Sequence, residues 1–310
     1  MKRSQSKNVT YGVFFDEFER RCKVKNVSEY TLKFYYNSLK PFEVYLDKCN
    51  IKMIKQIDKN IYENYVLHLQ NKLNNTVTIN TYLRAVKTFL RYAMECNYID
   101  EFKIAIIKPD DYVKETYSDE DIKKLIKKPN LKTCSFVEYR NWVLVQYLLE
   151  TGNRVNTLIR IKVGDVDLED GMVLLNITKS HKQMYFPISK TMINILLNYL
   201  DAFEFCSDDW LFPNSEKGQL SRGLAAKSIA RYNKQCGVNI TSLHAFRHTF
   251  AKNYIMNGGN AFKLQRLLGH STLNVTQMYI RLFGTDLKED FEKYSIVEKY
   301  YCNNKMKRKS

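Results

Sequence analysis

Through the first third of the chain, apolar residues recur at intervals of three and four, the spacing that gathers side chains on one face of an α-helix. Tyr11, Phe14, Phe15 and Phe18 make one stripe, and Leu32, Tyr35, Tyr36 and Leu39 a second. Ile61, Tyr65, Val66 and Leu69 make a third, and Tyr82, Val86, Leu90 and Ala93 a fourth. Four amphipathic helices in succession bury their stripes against one another, so residues 1–108 predict a small helical bundle. On the fourth helix Arg84, Lys87 and Arg91 share a face, beside Asn80 and Thr81 at its start. Most basic faces are simply solvated; next to a polyanion the same face contacts phosphates, which makes these five residues candidates for nucleic-acid contact.

The periodicity breaks at Lys108-Pro109-Asp110-Asp111, and we expect a linker over 109–117. Ser118 precedes Asp119, Glu120 and Asp121, a capping serine with an acidic first turn, so a second domain is expected over 118–286. A chain of 310 residues exceeds what one hydrophobic core usually organises, which agrees with two domains. Within the second domain, a helix from Phe136 ends at Thr151-Gly152, and another opens at about Asn153 carrying Arg154. Residues 172–177 and 183–188 are short and β-prone, and the polar stretch between them makes a hairpin with Lys179 near its tip. Further helices are expected near 189–204, 223–235, 242–257, 261–268 and 272–282. A tail, 287–310, combines an apolar stripe (Leu287, Phe291, Tyr294, Tyr301) with a basic end. The fold class is therefore mainly α with a small β-sheet.

Lysine and arginine total 49 against 33 acidic residues, a formal charge of +16 spread along the whole length, which favours a polyanion partner. The seven cysteines form no C-x-x-C pair, which argues against a zinc ribbon and for a reducing, cytoplasmic setting. No apolar run suits a secretory signal or a membrane span. Gly218 and Gly223 have the spacing of a phosphate loop, yet Leu224 stands where its lysine belongs; no nucleotide is expected. His244 and His248 have the spacing of a zinc pair, but Ala245 replaces the glutamate of that motif and Arg247 would set a cation beside the metal. We expect neither cofactor nor metal.

Five stretches carry the remaining signal: Thr151-Gly152-Asn153-Arg154; Lys179 on the hairpin; His244-Ala245-Phe246-Arg247; Leu268-Gly269-His270; and Tyr279. Any one of these residues alone is ordinary, a surface arginine or a packed tyrosine. Together and in this order they resemble the tyrosine recombinase (phage integrase) family, including its Xer-type members, and the resemblance spans both domains. It implies a SAM-like core-binding bundle followed by a tyrosine-recombinase catalytic domain. It also implies a catalytic set of Arg154, Lys179, His244, Arg247, His270 and Tyr279. The family commonly has a glutamate three residues after the first arginine; here that place is Thr157.

The chemistry explains the residue types. A phosphodiester under attack gains negative charge, which two forked guanidiniums, Arg154 and Arg247, hold better than lysines would. A tyrosine with a pKa near 10 needs help to lose its proton, and His244 is the candidate helper, with His270 a further phosphate donor. The departing 5′ oxygen must be protonated, a task for Lys179; Lys182 lies three residues on, and the hairpin register decides between them. A 3′-phosphotyrosine link would conserve the bond energy, so rejoining needs neither ATP nor metal. The resemblance further implies double-stranded DNA bearing a specific recombination site, strand exchange through a Holliday junction, a homotetramer on DNA, and a tail docked on a neighbouring subunit. The need for a partner recombinase or a DNA-bending protein is left open. The competing readings are a type IB topoisomerase-like relaxing enzyme and a non-catalytic DNA-binding protein.

Overall fold

The computed structural model describes residues 8–108, 114–177, 182–269, 277 and 279. The chain divides into two compact units, Met1–Tyr112 and Val113–Ser310.

The first unit is built from α1 (Tyr11–Val24), α2 (Glu29–Lys48), α3 (Lys59–Lys72) and α4 (Thr76–Glu95). Each begins on a residue whose side-chain oxygen accepts an otherwise unpaired backbone N–H: Thr10, Ser28, Asp58 and Asn75. Phe14 and Phe18 of α1, Phe42 and Leu46 of α2, Tyr65 and Leu69 of α3, and Val86, Phe89 and Leu90 of α4 form the core. Of the predicted stripe of α2, Leu39 is buried and Leu32 and Tyr35 pack against the core, whereas Tyr36 is exposed; Phe42 and Leu46 continue the buried face. Pro41 lies inside α2 without ending it, and its neighbours Leu39 and Phe42 are fully buried.

Asn80 departs from expectation. Rather than presenting its amide to a ligand, it is 1% exposed; its Nδ2 donates to the Ile107 carbonyl (2.8 Å) and its Oδ1 accepts from the Ile107 N–H (3.1 Å). Both ends of the amide are used in pinning the segment after the bundle, because a buried polar group must find partners. Thr81 bonds back to the Val77 carbonyl, whereas Arg84 and Arg91 are exposed and Lys87 is half-buried.

The second unit contains α5 (Asp119–Leu125), α6 (Phe136–Thr151), α7 (Val155–Leu158), β1 (Val166–Asp167), β2 (Met172–Ile177), β3 (Lys182–Pro187), α8 (Lys190–Asp201), α9 (Arg222–Gln235), α10 (Leu243–Met256) and α11 (Ala261–Leu268). The strands form an antiparallel sheet in the order β1-β2-β3, with Val173 opposite Phe186 and Leu175 opposite Met184. Val173, Leu175 and Phe186 are buried on its inner face, the alternation of a sheet with one face on the core. α6 is buried on nearly all sides, with Tyr139, Val143, Leu144, Tyr147 and Leu148 at its centre. The expected linker is shorter at its end than the sequence implies. Tyr117 is a core residue of the second unit: its N–H donates to Thr249 Oγ1 (2.8 Å) and its ring lies 4.5 Å from that of Phe246. Most of the expected 272–282 helix and the whole 287–310 tail lie outside the described residues.

Candidate active site

α6 stops at Gly152, whose φ of +58° is the left-handed conformation that closes a helix. A side chain there would also place its Cβ 2.7 Å from Phe250 Cδ1. The turn delivers Arg154 to the start of α7, and its Nη1 reaches the carbonyls of Leu268 (3.3 Å) and Gly269 (3.4 Å).

Arg247 comes from α10 and is buried. Its Nη1 donates to the Gly152 carbonyl (3.1 Å) and its Nη2 to the Leu268 carbonyl (2.6 Å). Two guanidiniums thus converge on one carbonyl at the end of α11, where Gly269 (φ +59°) caps the helix. The last carbonyls of a helix lack internal donors and form the negative end of its dipole, which offsets the repulsion between the two cations. Burial first, and Arg154 second, push the Arg247 guanidinium down to about 10, so it remains charged at neutral pH. A guanidinium has five N–H donors, and among the described residues two of those of Arg247 go to carbonyls.

His244, Arg247 and His248 occupy one turn of α10, and the same stripe continues through Ala251 to Ile255. His244 is exposed; desolvation and then the charges of Arg222, Arg247, Arg154 and Lys114 hold its imidazole below its usual value. His248 is held at about 4, by burial first and then by Lys114, His244 and Arg247, so it is neutral at neutral pH. Its Nδ1 lies 2.6 Å from the Tyr279 hydroxyl. With the imidazole neutral, Nδ1 accepts the hydroxyl hydrogen in the tautomer that carries its proton on Nε2 and donates to the hydroxyl oxygen in the other. Tyr279 itself is 1% exposed, with its ring among Ala251, Ile255, Leu264 and Leu268. Burial pushes its phenol up, while Arg247 and Arg154 pull the other way.

Of the expected site residues, Arg154, His244, Arg247 and Tyr279 lie in this one neighbourhood. Lys179 and His270 lie outside the described residues. The backbone of Lys182 opens β3 opposite Ile177. Thr157 borders the depression lined by Arg154 and Arg247. Sequence reasoning weighed His248 only as half of a zinc pair and missed its contact with Tyr279. The available signal was its place beside Arg247 on the stripe that leads to Ala251 and Ile255. Among the described residues, no three potential metal ligands cluster.

A depression walled by two guanidiniums, with a phenol in their field, suits a phosphodiester that is to receive a tyrosine oxygen. Comparison with known proteins agrees. Residues 115–285 match the phage integrase family and residues 11–108 the phage integrase SAM-like domain. The tyrosine recombinase XerD of Staphylococcus epidermidis is 25% identical over 279 residues, covering 87% of this chain and 94% of that protein. Two solved structures share the fold. One is a XerH site-specific recombinase bound to a palindromic difH substrate in a post-cleavage complex (TM-score 0.67, 22% identity, 90% of this chain and 83% of that one). The other is a lambda integrase tetramer bound to a Holliday junction (TM-score 0.68, 16% identity, 91% and 80%). The relaxing-enzyme and binding-only readings find no comparable support. The chain belongs to the phage integrase family and is a site-specific tyrosine recombinase.

Proposed function

We propose that Tyr279 is the nucleophile of this recombinase, that Arg154 and Arg247 hold the scissile phosphate, that His244 helps the phenolic proton leave, and that His270 adds a donor to the phosphate. The observation that carries this reading is the convergence of both guanidiniums on the Leu268 carbonyl, with Tyr279 packed against the same residue. The Tyr279 oxygen attacks phosphorus as its proton passes to His244, the bond to the 5′ oxygen breaks, and Lys179 protonates that oxygen. The resulting 3′-phosphotyrosine is reversed by a 5′ hydroxyl from the partner strand. Preorganised N–H donors stabilise the charge that grows on the non-bridging oxygens, because they need not reorganise as it develops.

The partner is double-stranded DNA with a specific site, held by a homotetramer that exchanges strands through a Holliday junction, with the 287–310 tail docking on a neighbour. Arg84, Lys87 and Arg91, with Thr81 and Lys182, are the proposed DNA contacts. A cytoplasmic location accompanies this reading, and no described helix is long and apolar enough to cross a membrane. The test is covalent trapping on nicked duplexes drawn from DNA flanking the gene. Denaturant-resistant adducts are expected with the wild type and none with Tyr279→Phe; adducts with Tyr279→Phe would assign the nucleophile elsewhere.

A further inference from the structure

We propose that His248 is a positioning residue for the nucleophile, its Nδ1 receiving the Tyr279 hydroxyl hydrogen and so fixing the direction in which the oxygen meets phosphorus. The inference rests on the reading of Tyr279 given above and extends it to a residue outside the set implied by the resemblance. Three observations carry it. The contact is short, 2.6 Å between Nδ1 and the hydroxyl. The phenol ring is enclosed by Ala251, Ile255, Leu264 and Leu268, so its hydroxyl can turn only about the C–O bond, and one acceptor suffices to orient it. Finally, His248 follows Arg247 on α10, so a single rigid helix fixes both the proposed phosphate clamp and the orientation of the attacking group.

Among the described residues, Lys114, His244 and Arg247 act on His248 through their charge and Tyr279 through direct contact. Three of them are cationic or able to become so, and together with burial they keep the imidazole unprotonated near neutrality, as an acceptor must be. That environment also makes His248 a poor resting place for a proton. Its role is to set where the oxygen points, and the phenolic proton passes to His244 as the oxygen–phosphorus bond forms, while the bond to the 5′ oxygen breaks and Lys179 protonates that oxygen.

The test uses the full-length protein at saturating DNA, timing single-turnover adduct formation on a nicked duplex. Wild type is compared with His248→Ala, His248→Asn, His248→Gln and Tyr279→Phe, and DNA affinity is measured beside each. The enclosed ring keeps the oxygen in place, so His248→Ala loses one orienting hydrogen bond and should trap about 2–10-fold more slowly with DNA affinity unchanged. The asparagine amide oxygen occupies nearly the Nδ1 position, so His248→Asn should recover most of that loss with the wild-type pH profile from about pH 6 to 9. Glutamine sets its amide too deep and should not recover it, a contrast that holds even if the alanine variant folds poorly. Adduct formation by His248→Ala at the wild-type rate or faster would overturn the proposal. So would equal loss in the asparagine and glutamine variants, or a pH limb present in the wild type and absent from His248→Asn. Adducts with Tyr279→Phe would instead sink the underlying assignment of the nucleophile.

Discussion

Exchanging Arg247 for lysine keeps the positive charge and removes the fork, which isolates the geometric part of its role. In the structure one guanidinium spans two carbonyls contributed by different elements, Gly152 at the end of α6 and Leu268 at the end of α11. A single ammonium at the end of a flexible stem reaches one of them; when it keeps to Leu268, whose carbonyl Arg154 also serves, the Gly152 carbonyl is left a buried acceptor without its donor. Such a group costs about 1–3 kcal/mol. For a unit of this size each kcal/mol moves the unfolding midpoint by about 2–4 °C, so the transition of the second unit should fall by about 2–12 °C. Losing one preorganised donor at the phosphate should slow cleavage by a further factor of about 100–1,000. The assay is scanning calorimetry together with single-turnover cleavage of a nicked substrate, with DNA affinity measured over a salt series. Affinity and salt slope should hardly change, because the charge is retained. Cleavage within threefold of wild type, with an unmoved midpoint, would refute the argument that the fork is what matters.

The bundle offers a contrast between buried and exposed polar residues. Asn80→Ala should lower the stability of the first unit by about 1–3 kcal/mol in urea titrations, through the unpaired Ile107 groups, and leave the salt dependence of DNA binding alone. Arg84→Ala, Lys87→Ala and Arg91→Ala should each reduce the slope of log affinity against log salt by about 0.9, with little effect on stability; unchanged slopes would remove that face from the DNA contact. Acid stability provides another check. His248 is held at about 4 in the folded chain against about 6.5 when unfolded. Between those values the unfolded chain binds a proton that the folded chain excludes, so stability falls as pH falls through that window. Urea midpoints at pH 7.5 and pH 5 should therefore converge in His248→Asn relative to wild type; an unchanged pH dependence would show that His248 is not the group responsible.

Much of this protein was legible locally. The cap Ser118, the glycine that ends α6 and the four stripes of the bundle are determined by neighbours three or four positions away, and helices answer to such short-range rules. The ordered set of Arg154, His244, Arg247 and Tyr279 carried the family likeness because catalysis restricts residue type more than it restricts packing. What periodicity could not reveal is which partner a polar group finds. Asn80 looked like the start of a ligand-facing helix and is a buried clasp on Ile107, since a stripe reports that a face is covered without saying by what. The convergence of Arg154 and Arg247 on the Leu268 carbonyl, and of His248 on Tyr279, joins α6, α7, α10 and α11 across long stretches of chain. Such pairings arise only when packing brings helix ends together and their orphan carbonyls and hydroxyls must be satisfied in the space that is left. Sequence alone determined the chemical groups available; tertiary structure decided which of them face one another, because hydrogen bonds depend on distance and angle and not on order along the chain.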